Sequence, residues 1–146
     1  MIEGFHSTIA AVGLLHRVRD DELLRRHGLH AGQEFVLAYL WEEDGLAPGE
    51  IARRRGCETA TVTVSAQRLE RAGLVRRERD DSDRRLVRIR LTDAGRALRA
   101  PVTAVMDELT EESLEGLDAA DRDHLLVLLR RVQGNLKRRD VRSSYH

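Results

Sequence analysis

The stretch PGEIARRRGCETATVTVSAQRLERAGLVRRERDDSDRRLVRIRL, residues 48–91, contains two short helical segments followed by two β-compatible runs. Pro48 suits the first position of a helix, where its missing N–H would have no partner in any case. Gly56 ends that helix, since glycine adopts the left-handed conformation at little cost. A second helix begins near Glu58 or Thr59 and stops at Gly73. Two short helices joined by a tight turn predict a helix-turn-helix.

The second helix has one apolar face and one face of a different character. At about 100° per residue, Val62, Ala66 and Leu69 form a single stripe. The opposite side and its flanks carry Ala60, Thr61, Thr63, Val64, Gln67, Arg68 and Arg71. Such a face suits a DNA major groove, where Gln pairs with adenine, Thr hydroxyls bond base edges and Val touches a thymine methyl group.

The sequence changes its period after Gly73. Residues 74–78 and 85–91 are strand-like, and in the second run Val87, Ile89 and Leu91 alternate with residues of the other face. The segment RDDSDR between them, residues 79–84, is polar and turn-forming. A narrow minor groove concentrates negative potential and attracts inserted Arg side chains. The hairpin therefore predicts a wing, and with the two helices a winged helix-turn-helix.

Positive charge is concentrated in this same segment. The 146-residue chain has 25 Lys and Arg against 25 Asp and Glu, so its net charge gives no indication of nucleic acid. Residues 51–90 hold 12 Arg against six acidic residues, a net +6, whereas residues 1–50 carry −5 and residues 91–146 carry −1. A solvated face alone would give such an excess, but the surrounding motif favours DNA binding.

Further helices are expected at residues 5–27, 29–41, 92–112 and 118–138. Thr92 and Asp118 are the expected N-caps of the last two, and Pro101 should bend the helix that contains it. Apolar side chains in the first and last helices exceed what one chain can cover, which predicts a dimer interface. The expected interface residues are Phe5, Ile9, Val12, Leu125, Leu128, Leu129 and Val132.

The predicted fold class is therefore mostly α with a small β-hairpin wing. Residues 29–91 form the winged helix-turn-helix lobe, and residues 1–28 and 92–146 supply dimerisation helices from both termini, all within one domain. One Cys excludes an internal disulfide, and neither a signal peptide nor a bilayer-spanning segment is apparent. We expect a cytoplasmic protein with no membrane partner.

These elements, in this order, resemble the MarR family of bacterial transcription regulators. The resemblance covers nearly the whole chain and rests on most of LxxxQFxVLxxL at residues 29–40, RLERAGLVRR at 68–77, DRR at 83–85 and LTDAG at 91–95. It implies a homodimeric repressor with interleaved terminal helices, in which two winged lobes read a pseudo-palindromic operator in double-stranded DNA.

Carried over by position, the resemblance implies a recognition helix at residues 59–71 and a wing in which one Arg enters the minor groove. Asp83 would hold that loop by an ion pair, and Arg84 and Arg85 are equal candidates for the inserted Arg. The expected DNA-binding residues are Arg54, Thr59, Thr61, Thr63, Val64, Gln67, Arg68, Asp83, Arg84 and Arg85.

Two positions depart from the family pattern. Val64 stands where members often carry Arg, Lys or Asn, which favours A·T-biased half-sites. Glu58 stands where members often carry Ser or Thr, so the start of the recognition helix is left open.

A small aromatic or phenolic effector is the third partner that the resemblance implies. His16, on the interface stripe, and the aromatic residues Tyr39 and Trp41 are candidates for its pocket, against core packing for the two aromatics. Cys57 in the turn is expected to pack as a small buried hydrophobe, and the scattered His residues predict no metal site. No cofactor is expected.

The remaining alternatives belong to other functional classes. The sequence contains no GxSxG, HExxH or phosphate-loop motif, so we do not expect an enzyme. A winged helix also serves as a protein-interaction module without specific DNA binding. That alternative predicts no sequence-specific DNA binding, whereas a DNA reader loses affinity steeply as salt rises.

Overall fold

The computed structural model describes the backbone of residues 4–143 and the side chains of residues 4–137. Two antiparallel strands, β1 (Val75–Arg79) and β2 (Val87–Leu91), form a hairpin. The helices are α1 (Phe5–Leu24), α2 (Glu34–Glu42), α3 (Pro48–Arg55), α4 (Thr59–Arg71), α5 (Asp93–Ala97), α6 (Arg99–Ser113) and α7 (Ala119–Ser143), with a 3-10 turn at Arg25–His27. The predicted fold class, mostly helical with a small hairpin wing, is confirmed.

The chain divides into two compact units, of which the first ends at Leu109 and the second begins at Thr110. In the first unit, α2, α3, α4 and the hairpin enclose a core. Each supplies fully buried side chains, such as Leu37 from α2, Ile51 from α3, Leu69 from α4 and Ile89 from β2. Burying one such side chain stabilises the fold by roughly 1.5–3 kcal/mol, so these contacts hold the helix-turn-helix and the wing together.

The boundaries of the helix-turn-helix agree with the sequence. α3 begins at Pro48, and Gly56 follows it in the left-handed conformation with φ 78°. α4 spans Thr59–Arg71 and buries Val62, Ala66 and Leu69, the stripe expected from the helical period.

The helix predicted at residues 29–41 was wrong at its N-terminal end, because α2 begins only at Glu34. A turn precedes it, with Gly32 at φ 94°. The N–H of Ala31 donates to Asp21 Oδ1 (3.0 Å), and the N–H of His30 donates to Gln33 Oε1 (2.9 Å). These side chains satisfy backbone donors in the turn and so compete with helix formation.

The helix predicted at residues 92–112 is interrupted. α5 and α6 are separated at Leu98, shortly before Pro101, which lacks an N–H to continue the ladder. Thr92 is the N-cap, since its Oγ1 accepts from the Gly95 N–H (3.1 Å). Asp118 likewise accepts from the Asp121 N–H (2.8 Å) and caps α7, which extends beyond the predicted residue 138 to Ser143.

Gly95 lies where the RLERAGLVRR segment and the LTDAG segment contact each other. A Cβ atom at this position would lie 2.1 Å from the carbonyl oxygen of Leu74, so only glycine fits. Thr92 strengthens the same junction, because its hydroxyl donates to Gly73 O (2.7 Å) and its N–H donates to Leu74 O (3.1 Å). Trp41 completes it with a bond from Nε1 to Gly95 O (2.9 Å). The segments RLERAGLVRR and LTDAG therefore pack directly against each other.

The hairpin is slightly shorter than predicted and has an additional partner. Val75 lies opposite Leu91, and Arg77 lies opposite Ile89. Leu46, in the segment expected to be a plain connection, forms an isolated antiparallel bridge to Ile89 and accepts its N–H (2.9 Å). This bridge ties the wing to the segment that leads into α3.

No described helix is both long and apolar enough to cross a membrane.

Candidate nucleic-acid interface

The start of α4 is defined by backbone geometry. Glu58 is extended (φ −71°, ψ 143°), and within the described residues no side chain caps the first turn. The Thr61 N–H donates to Glu58 O (3.0 Å), so the helix begins at Thr59. The N–H groups of an uncapped first turn point outward and suit an anionic partner.

The outward face of α4 is polar and open. Thr59, Thr61, Val64 and Arg68 are exposed, with Val64 at 47% of its full accessibility, and Gln67 is half-buried. Thr63 is also half-buried, and its hydroxyl donates to Thr59 O (3.1 Å). Thr63 is therefore partly used by its own helix.

The two arginines of the wing tip are free. Arg84 and Arg85 are exposed, and neither guanidinium has a hydrogen-bond or ion-pair partner among the residues that the structure describes. Within the described residues, Asp83 makes no ion pair with Arg84 or Arg85. The prediction that Asp83 holds the loop by an ion pair was therefore wrong. Asp83 Oδ1 instead accepts the backbone N–H of Arg85 (3.1 Å).

Asp80, which the sequence analysis did not select, organises the wing tip. Its Oδ1 accepts from the Ser82 N–H (2.8 Å), the Ser82 hydroxyl (2.6 Å) and the Asp83 N–H (3.0 Å). Its Oδ2 is paired with Arg88. These bonds, led by the Ser82 hydroxyl and the Arg88 guanidinium, hold the pKa of Asp80 well below its usual range. The Asp-Asp-Ser sequence is typical of an Asx turn and was an available signal.

Arg54, the expected DNA-binding residue in α3, is held by two carboxylates. Its Nη2 donates to Glu43 (2.8 Å) and its Nε donates to Glu50 (2.9 Å). Glu50 is also paired with Arg53, and the two arginines together lower the pKa of Glu50. Contact between Arg54 and a phosphate would therefore compete with these ion pairs.

A cavity of about 750 Å³ lies between α1, α2, α3 and α4. Phe35 and Val64 contribute apolar surface to its wall, and the Arg55 guanidinium stacks over the Phe35 ring with 4.5 Å to the centroid. The charged or titratable lining residues are His16, Arg17, Asp20, Glu34, Arg55, Cys57 and Arg68. Because Val64 and Arg68 belong to α4, an occupant of the cavity would contact the recognition helix directly.

Two carboxyl groups meet in the wall of this cavity. Asp20 is only 6% exposed, and its buried Oδ1 has no hydrogen-bond partner within the described residues. Glu34 accepts the Gly32 N–H (2.8 Å). Burial, reinforced by the neighbouring Asp20 carboxyl, raises the pKa of Glu34 to about 7.

The three residues expected at an effector pocket are not brought together, which corrects that grouping. His16 lines the cavity. Trp41 packs against the core and lines a different groove with residues of α6, while Tyr39 packs half-buried against the core. Cys57 is half-buried and packs against the core as predicted. Among the side chains of residues 4–137, no group of His, Cys, Asp and Glu could hold a metal ion.

The terminal helices expose apolar side chains. Of the expected interface residues, Phe5, Ile9, Val12, Leu128 and Leu129 are exposed, whereas Leu125 and Val132 are half-buried. Further exposed apolar residues that the sequence analysis did not select are Leu14, Leu15, Val18, Leu126, Val127 and Leu136.

A helix-turn-helix with an open polar face, followed by a hairpin with free arginines, defines a winged-helix DNA-binding transcription regulator. The chain belongs to the MarR family, whose sequence model matches residues 29–87. It is 38% identical over 117 residues to the HTH-type transcriptional regulator TtmR of Methylorubrum extorquens (strain PA1), covering 80% of this chain and 59% of TtmR. It is 32% identical over 132 residues to the HTH-type transcriptional regulator PecS of Dickeya dadantii (strain 3937), covering 88% of this chain and 80% of PecS.

A solved structure extends the likeness to the fold. Bordetella bronchiseptica BpsR, whose DNA binding is regulated by 6-hydroxynicotinic acid, superimposes with a TM-score of 0.83 at 25% identity. The match covers 91% of this chain and 95% of BpsR.

Proposed function

We propose that this protein binds a pseudo-palindromic operator as a homodimer and represses transcription. Each copy would place α4 in the major groove and the wing in the neighbouring minor groove. The observation that carries the proposal is the outward face of α4 beside two unpaired guanidinium groups, those of Arg84 and Arg85. The proposed target also implies a cytoplasmic location.

The chemistry of α4 supports reading of A·T-rich half-sites. Gln67 can pair with adenine, and Val64 offers a methyl-lined surface to thymine. Free arginines at the wing match a narrow minor groove, where A·T tracts strengthen the negative potential.

A second copy of the chain is the proposed cover for the terminal helices. Monomeric proteins rarely leave several neighbouring large apolar side chains in solvent. A two-fold dimer would bury them, and it would also present two recognition helices to half-sites about one helical turn apart.

A small aromatic acid is the proposed effector, and the cavity beside α4 is its proposed site. Arg17 and Arg68 line the cavity without a carboxylate partner in the described chain, so they are available to an anionic group, while Phe35 offers a ring face. The regulation of BpsR by 6-hydroxynicotinic acid supports this class of ligand. Thermal-shift measurements with aromatic acids should give stabilisation that is lost in Arg68→Ala, with Arg25→Ala as the control.

The test of DNA binding uses the promoter region beside the protein's own gene and a scrambled duplex of equal length. Anisotropy titrations should give preference for the promoter, with an affinity that falls by about 10³-fold or more between roughly 50 and 200 mM salt. Sequence-indifferent binding would contradict an operator function and favour a protein-interaction module.

Substitutions at the wing locate the contact. Arg84→Ala or Arg85→Ala should weaken operator binding by about 1–3 kcal/mol, the range of a good specific contact. Arg25→Ala is the control, because Arg25 pairs with Asp21 at the end of α1. Unchanged affinity in both wing variants would contradict the assignment of the wing.

A further inference from the structure

The tip of the wing is closed by one side chain. Asp80 Oδ1 accepts hydrogen bonds from the Ser82 N–H, the Ser82 hydroxyl and the Asp83 N–H, and Asp80 Oδ2 forms an ion pair with Arg88. Its own N–H donates to Leu86 O (2.8 Å) across the loop. Asp80 therefore fixes both sides of the segment that carries the two free arginines.

The same carboxylate connects the tip to the lobe. Arg88, the ion-pair partner of Asp80, also donates from Nη1 to Gly45 O (2.9 Å). Gly45 in turn donates its N–H to Ile89 O (3.1 Å), next to the buried Ile89 side chain. A chain of contacts thus runs from the tip, through Asp80 and Arg88, to the base of the hairpin.

The backbone of the two arginines is fixed by its neighbours in the loop. Arg79 donates to the carbonyl oxygen of Arg84 (2.8 Å), and the N–H of Arg85 donates to Asp83 Oδ1 (3.1 Å). Because Asp83 is itself bonded to Asp80, the path to Arg85 passes through the Asp80 carboxylate. The side chains of Arg84 and Arg85 remain free at the end of a backbone that is held in place.

A carboxylate at this place is unfavourable for DNA binding by charge alone, since it repels phosphates. We infer that Asp80 is a positioning residue for DNA binding, which holds the wing tip so that Arg84 and Arg85 are presented to the groove. This inference rests on the proposed function. Pre-ordering of the tip reduces the entropy that binding would otherwise cost.

Asp81 provides a matched control. It is the adjacent residue, carries the same charge and is exposed, and it makes no hydrogen bond or ion pair among the described residues. Removal of either carboxylate relieves the same kind of phosphate repulsion. The two substitutions should therefore differ in sign if Asp80 positions the wing.

The experiment measures operator affinity of the full chain by anisotropy at several salt concentrations. Asp81→Ala should tighten binding by about twofold, and Asp80→Ala should weaken it by about tenfold with a shallower salt dependence. Asp80→Asn should recover part of the loss, because the amide oxygen still accepts from Ser82 and Asp83. Equal effects of Asp80→Ala and Asp81→Ala would overturn the inference.

A double-mutant cycle separates positioning from a general structural effect. In an Arg84→Ala/Arg85→Ala background, Asp80→Ala should change affinity by less than about twofold, since the groups that it positions are gone. An undiminished tenfold loss in that background would overturn the inference. A wild-type protein without operator preference would overturn the proposed function and the inference together, whereas wild-type binding with an unaffected Asp80→Ala would overturn the inference alone.

Discussion

The winged lobe and the terminal helices use their apolar residues in opposite ways. In the lobe, large aliphatic side chains such as Leu37, Leu69 and Ile89 have no solvent exposure. In the first part of α1 and in α7, side chains of the same type remain in solvent, with Leu15 at 67% and Val127 at 60% of full accessibility. The first set is buried by its own chain, whereas the second set remains exposed, and this exposure is the basis of the proposed dimer.

The change occurs within α1 itself. Its residues up to Val18 are exposed on every side, whereas Asp20, Leu23 and Leu24 are buried. A single helix thus begins as surface and ends as core. Apolar composition alone therefore does not define the interior of the fold, and the uncovered residues are where we propose that a second copy binds.

Replacement of an uncovered leucine in α7 should give the largest effect. Leu128→Glu should abolish the proposed dimer, because two symmetry-related copies each lose the burial of a leucine and place a charge in the interface. Loss of roughly 2–3 kcal/mol per copy raises the dissociation constant by about 10³-fold or more. Sedimentation velocity should show a monomer at concentrations where the wild type is a dimer.

Val64→Glu is the control for that experiment, since Val64 is exposed to the same extent as Leu128 but lies on α4. It should leave the dimer intact and remove DNA binding. A Leu128→Glu protein that sediments like the wild type would contradict the proposed interface.

Substitution of Gly95 should give the next largest effect, and this effect concerns the winged lobe, whose apolar side chains are buried by its own chain. Gly95→Ala places a methyl group against the Leu74 carbonyl oxygen, and the free energy of unfolding should fall by about 3 kcal/mol. Gly49→Ala is the matched control, because a Cβ atom there meets nothing within 4 Å. Urea unfolding of both variants measures the difference, and equal stabilities would show that the contact relaxes freely.

The carboxyl of Glu34 should give a pH-dependent effect of intermediate size. Its pKa rises from 4.5 in the unfolded chain to about 7 in the fold, chiefly through burial. The folded state therefore binds this proton more tightly, and the free energy of unfolding should fall as pH rises from about 5 through 7. After a discount for solvent screening, the loss is about 2 kcal/mol at pH 8.

Glu34→Gln tests this pH-dependent loss of stability, since the amide cannot ionise. It should unfold at a higher urea concentration than the wild type at pH 8 and at a similar concentration near pH 5. Glu42→Gln on the same helix is the control, because Glu42 is exposed and paired with Arg99. A wild-type advantage over Glu34→Gln at pH 8 would contradict the buried-carboxyl assignment.

Local rules were sufficient for the helix-turn-helix. Pro48 and Gly56 specify helix ends by their own backbone chemistry, and the period of Val62, Ala66 and Leu69 specifies the buried face. Each of these signals acts within a few residues, so the sequence alone predicted α3, α4 and the outward face of α4.

Contacts between distant segments account for what the sequence analysis missed. Residues 29–33 form a turn because Asp21, ten residues before Ala31, takes a backbone donor from that turn. Arg54 was expected to contact DNA, but Glu43 pairs with its guanidinium across the loop. Asp80 had a local Asx-turn signal, yet its link to the lobe depends on Arg88 and Gly45, which no short-range pattern joins.

The smallest effect is expected at two threonines of α4, whose hydroxyl groups differ in hydrogen bonding. The Thr63 hydroxyl is bonded to Thr59 O, whereas the Thr61 hydroxyl has no partner within the described residues. Thr63→Ala should therefore reduce operator affinity by less than about 0.5 kcal/mol, while its better helix propensity raises stability by a similar amount. Thr61→Ala should reduce operator affinity by about 1 kcal/mol, the net value of a typical hydrogen bond. Anisotropy titrations that rank the two variants in the reverse order would mean that Thr63 exchanges its helical acceptor for a DNA group on binding.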